Sequence, residues 1–140
     1  MWIKGYSRSI GYTTSVVAEW WALRDGLTLA IQLGCQQLEV ELDAKVIVEL
    51  LKSNSISNRG YSPLLHDCRM LLGQLQQVRV THVFREANKC ADFLAKRGCC
   101  MQADFVIFYP SAEFLPLLYS DMYGVSFCRL ASLTLVSVTS

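Results

Sequence analysis

The chain has 140 residues and a mass of 15.8 kDa, room for one domain and hardly two. Hydrophobic residues make up 52% and charged residues 18%, too apolar and too weakly charged for a disordered chain. Thirteen Lys and Arg face twelve Asp and Glu, so no global basic field points to nucleic acid and none excludes it.

Trp2–Tyr6 predicts a short strand, followed by a turn at Arg8–Gly11. Thr13, Thr14 and Ser15 are N-cap candidates for a helix. Val16, Trp20, Leu23, Leu27 and Ile31 then recur at the spacing of one helix face, and Gly34 closes it. Gln37–Leu42 alternates, with Leu38, Val40 and Leu42 on one side and Glu39 and Glu41 on the other. That pattern predicts a strand with one solvated face, ending at Asp43. Ala44–Lys52 is helical by spacing, and the run from Ser53 to Ser62 is a polar loop. Pro63 suits the first turn of a helix reaching about Leu75. Gln77–Arg85 alternates again and predicts a strand. Asn88 is placed to cap a helix through Ala95 or Lys96, with Gly98 as its stop. Strands alternating with helices favour a mixed α/β sheet.

The texture changes past Gly98. Residues 1–100 hold 12 basic and 9 acidic side chains, whereas 101–140 hold one Arg and three acids. Asp104–Tyr109 reads as a strand and Ser111–Tyr119 as a short helix kinked at Pro116. The last eleven residues carry no charge and have high β-propensity. The expected organisation is a domain at 1–98 and a tail at 99–140 outside it, packed loosely or hanging free.

Six cysteines show no CxxC pair, and there are two histidines, which argues against zinc. No secretory signal and no apolar run of spanning length is present. The expectation is a reduced, intracellular protein of cytoplasm or nucleus, with no membrane partner and no small-molecule cofactor.

Three carboxylates stand out. Glu19 borders the apolar face of the first helix, Asp43 ends the middle strand, and Asp92 lies early in the last helix of the 1–98 region. Ligands of α/β sheets gather beyond the carboxyl ends of strands, where Asp43 sits and where the turn before Asp92 begins. Acids gathered there repel unless a cation intervenes, and hard oxygen ligands suit Mg²⁺ or Mn²⁺. Two such ions support hydrolysis of a phosphodiester. Plainer readings stand beside this one. Asp43 can be the N-cap of the next helix, and Asp92 an i,i+4 partner of Lys96. Glu19 has no basic residue at i+3 or i+4.

The segments AEWWALRDGL, LEVELDAKVIVELL and HVFREANKCADFLAKRG, in that order, resemble the ribonuclease H fold. They are most similar to the ribonuclease H-like domains of plant sequences related to retrotransposon reverse transcriptases. The resemblance covers about residues 2–98, and the stretch from Asp104 to Leu130 is similar to the tail that follows such domains. It implies a mixed sheet with flanking helices, nucleic-acid binding, and cleavage of the RNA strand of RNA–DNA hybrids with two Mg²⁺ ions. Glu19, Asp43 and Asp92 match the second, third and fourth of the family's four acidic metal ligands. His82, ten residues before Asp92, matches a histidine that assists proton transfer or product release. A packed or edge-strand histidine is the plainer reading of it. Asn88 matches an asparagine that contacts substrate, a role compatible with helix capping.

The departure lies at the start. The family's first strand carries an acid that bridges both ions, yet the first acid here is Glu19. The opening WIKGYSRSIGYTTS resembles the family's third strand, so the expectation is an N-terminally truncated domain lacking about two strands. Those strands would flank Leu38–Leu42, and Asp104–Tyr109 is the candidate to fill the gap. Weak or absent cleavage follows from the missing acid. The alternative is a non-catalytic nucleic-acid or protein interaction module that keeps its acids by descent.

Overall fold

The computed structural model describes residues 4–53, 62–109, 111–123 and 135–137. In chain order the elements are β1 (Gly5–Arg8), α1 (Ser15–Gln32), β2 (Gln37–Leu42), α2 (Lys45–Lys52), α3 (Ser62–Leu72), β3 (Gln77–His82), α4 (Lys89–Cys99), β4 (Phe105–Phe108), α5 (Leu115–Tyr123) and β5 (Leu135–Ser137). A single 3-10 turn, Arg85–Ala87, lies between β3 and α4. The architecture is mixed α/β: among the described residues a three-stranded sheet, β3–β2–β5, and a two-stranded one, β1–β4, with flanking helices. Most of the loop expected at 53–62 lies outside the described residues.

Thr14 caps α1 by accepting a hydrogen bond from Val17 N–H at 3.3 Å. At the other end Leu33 is the C-cap, and Gly34 follows it with φ +75°, a conformation that suits glycine. The apolar stripe does what its spacing predicts. Trp20, Leu23 and Leu27 are fully buried and pack on Leu38, Val40 and Leu42 of β2. Ile47 and Val48 of α2 and Leu65 and Cys68 of α3 complete this core. Each such side chain contributes about 1.5–3 kcal/mol of burial.

β2 pairs in parallel with β3, from Gln37 opposite Gln77 to Leu42 opposite His82. A parallel pair needs a crossover, which α2 and α3 supply. The expected strand at Gln77–Arg85 ends early, because the chain tightens into the 3-10 turn at Arg85.

The tail differs from its expectation. Phe105–Phe108 neither hangs free nor fills the space beside β2. It pairs antiparallel with β1, Gly5 opposite Phe108 and Arg8 opposite Phe105. The backbone of β5 takes the place on β2 instead, with Glu39 opposite Ser137 and Glu41 opposite Leu135. Strand edges in a folded core need partners for their N–H and C=O groups, and these tail segments meet that demand. A second small core joins Cys90 and Leu94 of α4 to Phe114, just before α5. Pro116 falls in the first turn of α5, where its missing N–H costs nothing, so the expected kink does not arise.

Gly98 also differs. It does not stop α4, which continues through Cys99. Its role is close approach: a Cβ there would lie 2.7 Å from the Arg8 carbonyl oxygen of β1. Gly98→Ala must push α4 and β1 apart, an overpacking cost of about 1–3 kcal/mol. The expected readout is a lower thermal midpoint; an unchanged one would mean that α4 and β1 do not meet at Gly98.

Cys68 and Cys90 are fully buried, as their reading as small hydrophobes expects. No helix among the described residues is long and apolar enough to cross a membrane.

Candidate active site

The carboxyl ends of β2 and β3 are tied by Val83 N–H, which donates to the Leu42 carbonyl at 2.9 Å. Asp43 leaves β2 at that point. It is not a helix cap: the N-cap position of α2 belongs to Ala44, with no side-chain capping bond. With capping excluded, the Asp43 side chain is still only 4% exposed and accepts from Arg85 Nε at 3.2 Å. Its other oxygen has no hydrogen-bond partner among the described residues.

Glu19 projects from α1 and is 2% exposed, with neither carboxylate oxygen hydrogen-bonded. A buried carboxylate without donors holds its proton tightly. Burial pushes Glu19 up to about 8, nearby Asp43 pushes the same way, and Arg85 opposes them. Burial likewise raises Asp43, which Arg85 counters and Asp92 reinforces. Glu19 therefore interacts with Asp43, and Asp43 with Asp92.

Asp92 sits in the first turn of α4. One oxygen takes Lys96 Nζ at 2.6 Å, the i,i+4 pair expected from spacing. The other is buried without a partner. Asn88 precedes α4 and is 1% exposed, yet its amide makes no capping bond. Asn88 holds the N-cap position, as expected, but caps through its backbone alone. The Asn88 backbone carbonyl accepts from Asp92 N–H at 3.1 Å, while both side-chain amide atoms are unpartnered. His82 ends β3, exposed, its ring edge-on to Phe84 at 5.5 Å.

Arg85 is the residue that sequence reasoning missed. The alternation of Gln77–Arg85 drew it into a strand, and only tertiary structure brings it to Asp43. The signal was a cation directly past the strand end, seven residues before Asp92.

The donor chemistry fits a hard divalent ion, since Glu19, Asp43 and Asp92 all carry buried carboxylate oxygens without partners. The side chains do not stand as a finished cage, however. Among the described residues no three of His, Cys, Asp and Glu are arranged to hold a metal.

Residues 2–98 match the family model described as reverse transcriptase-like. This chain belongs to that ribonuclease H-like family. It is 35% identical over 104 residues to a protein of Arabidopsis thaliana named as a ribonuclease H protein. That match covers 74% of this chain and 17% of the Arabidopsis protein, so the ribonuclease H-like chain spans about a sixth of its relative. In three dimensions it is similar to the N-terminal RNase H domain of a Mycobacterium tuberculosis protein, solved as a fusion with maltose-binding protein. The TM-score is 0.61 at 29% identity, over 65% of this chain and 66% of that one. Ribonuclease H-like domains bind nucleic acid and generally use divalent metals.

Proposed function

We propose that this ribonuclease H-like chain binds RNA–DNA hybrids through the surface around Glu19, Asp43 and Asp92. These three side chains hold the divalent cations, Mg²⁺ or Mn²⁺. The observation that carries this reading is a set of buried carboxylate oxygens without a hydrogen-bond partner: both of Glu19, one of Asp43 and one of Asp92. A stable fold does not retain such acids cheaply, because burying a charge without partners is costly. Buried unsatisfied polar groups of this kind cluster at functional sites. Bound ions would supply charge neutralisation at a phosphodiester and activation of water. Asn88, whose buried amide has no partner, is the residue assigned to substrate contact. His82, at the end of β3, assists the proton or product step.

The family reaction is hydrolysis of the RNA strand. Glu19 is the first acid of this sequence. Asp43 and Asp92 are already paired to Arg85 and Lys96, which favours a reading with weak or no turnover. A retroelement ancestry accounts for the acids in either case.

Fluorescence anisotropy with a labelled RNA–DNA hybrid tests the binding. The expected result is saturable binding that weakens as salt rises, as phosphate contacts require. Asn88→Ala should weaken it by about tenfold, the loss of roughly one good polar contact of about 1.4 kcal/mol. Absence of hybrid binding at low salt would overturn the proposal.

A further inference from the structure

The cluster has a cation of its own. Arg85 donates to Asp43 from the 3-10 turn that follows β3, and its side chain is 35% exposed against 4% for Asp43. The guanidinium thus reaches the acids from the more solvent-exposed side. Lys96 cannot play the same part. It is 64% exposed and pairs with Asp92 along one helix, an arrangement that contributes little.

One guanidinium does not finish the task. Both Glu19 oxygens, one Asp43 oxygen and one Asp92 oxygen remain without partners. A planar fork serves one carboxylate well and cannot stand at the centre of three. A compact divalent ion carries twice the charge and takes up to six oxygens. The pair also accounts for why the acids do not stand as a metal cage at rest, since Asp43 is turned to Arg85.

We propose that Arg85 is the resident cation of the cluster, holding Asp43 in the metal-free chain and giving up that position when a divalent ion binds. Arg85 is then a positioning residue that sets the affinity for the ion by competing with it. This rests on Glu19, Asp43 and Asp92 being ion ligands, and the test separates the two claims.

The test is Mn²⁺ titration of the whole chain, following the electron paramagnetic resonance signal of free Mn²⁺. Wild type, Arg85→Gln, Arg85→Lys and Asp43→Asn are compared. Arg85→Gln should bind Mn²⁺ at least about tenfold more tightly than wild type, since truncating one partner leaves Asp43 unpaired. Arg85→Lys keeps a positive charge and should stay within about threefold of wild type, while Asp43→Asn should bind most weakly. Thermal melts give a second readout. In EDTA, Arg85→Gln should melt below wild type, and Mn²⁺ should raise its midpoint more than that of wild type. Should the variant fold only with Mn²⁺ present, the proposal is upheld in its strongest form. Equal Mn²⁺ affinity of wild type and Arg85→Gln, with binding lost in Asp43→Asn, would overturn the role of Arg85 and leave the ligands standing. Failure of every protein to bind Mn²⁺ would overturn both.

Discussion

Glu19→Gln is expected to stabilise the metal-free chain above neutral pH and to flatten the pH dependence of its stability. The sign follows from linkage. Glu19 in the folded chain holds its proton up to about 8, against 4.5 when unfolded. Between those values the unfolded state has released the proton and the folded state has not. The unfolded state binds fewer protons there, so stability falls as pH rises. The loss starts near pH 4.5, is complete a little above 8, and amounts to about 5 kcal/mol at about 1.36 kcal/mol per pKa unit. Asp43, also raised, adds in the same direction. A glutamine has no charge to release and escapes the loss. Chemical denaturation in EDTA at pH 5, 7 and 9 measures it. Wild type should weaken across the series and Glu19→Gln should weaken less, keeping only the share that Asp43 contributes. Parallel lines for the two proteins would mean that Glu19 is solvated or paired.

Cleavage of an RNA–DNA hybrid is expected to run several orders of magnitude below a turnover of about 1 per second, in Mg²⁺ and in Mn²⁺. None of the three acids matched by resemblance, Glu19, Asp43 and Asp92, corresponds to the family acid that bridges both ions. Losing the group that joins the two ions removes several kcal/mol of stabilisation where charge develops. Each 1.36 kcal/mol is about tenfold in rate. The tail strands supply backbone pairing to β1 and β2, yet neither Phe105–Phe108 nor Leu135–Ser137 contains an acid. A labelled hybrid and purified chain suffice for the measurement. Turnover near 1 per second, abolished by Asp43→Asn, would show that the bridging acid is replaced or dispensable.

Local patterns carried much of this fold. The stripe of Trp20, Leu23 and Leu27 named the buried face of α1, and the alternation of Gln37–Leu42 gave β2 with its boundaries. Both signals are periodic, and burial on one face enforces them. What stayed hidden depended on distant partners. Gly98 looked like a helix stop because its close neighbour, the Arg8 carbonyl, is 90 residues away in sequence. The tail strands could be suspected from β-propensity, but which edge each would cover is a matter of tertiary competition. The same division runs through the site. Glu19 was conspicuous as an acid beside an apolar face without a basic partner, and it is buried with both oxygens unbonded. Arg85 offered only a weak signal, a cation just past the strand end, because its partner Asp43 lies 42 residues earlier.

A crystal structure of the chain grown with Mn²⁺ tests the central claim most directly, because anomalous scattering locates the ion without assumption. The expected result is an ion ligated by Asp43 and by Glu19 or Asp92, with the three carboxylate carbons within about 10 Å of one another. The Arg85 guanidinium should then be turned away from Asp43. Carboxylates spread more widely than that, or manganese bound only elsewhere on the surface, would contradict it.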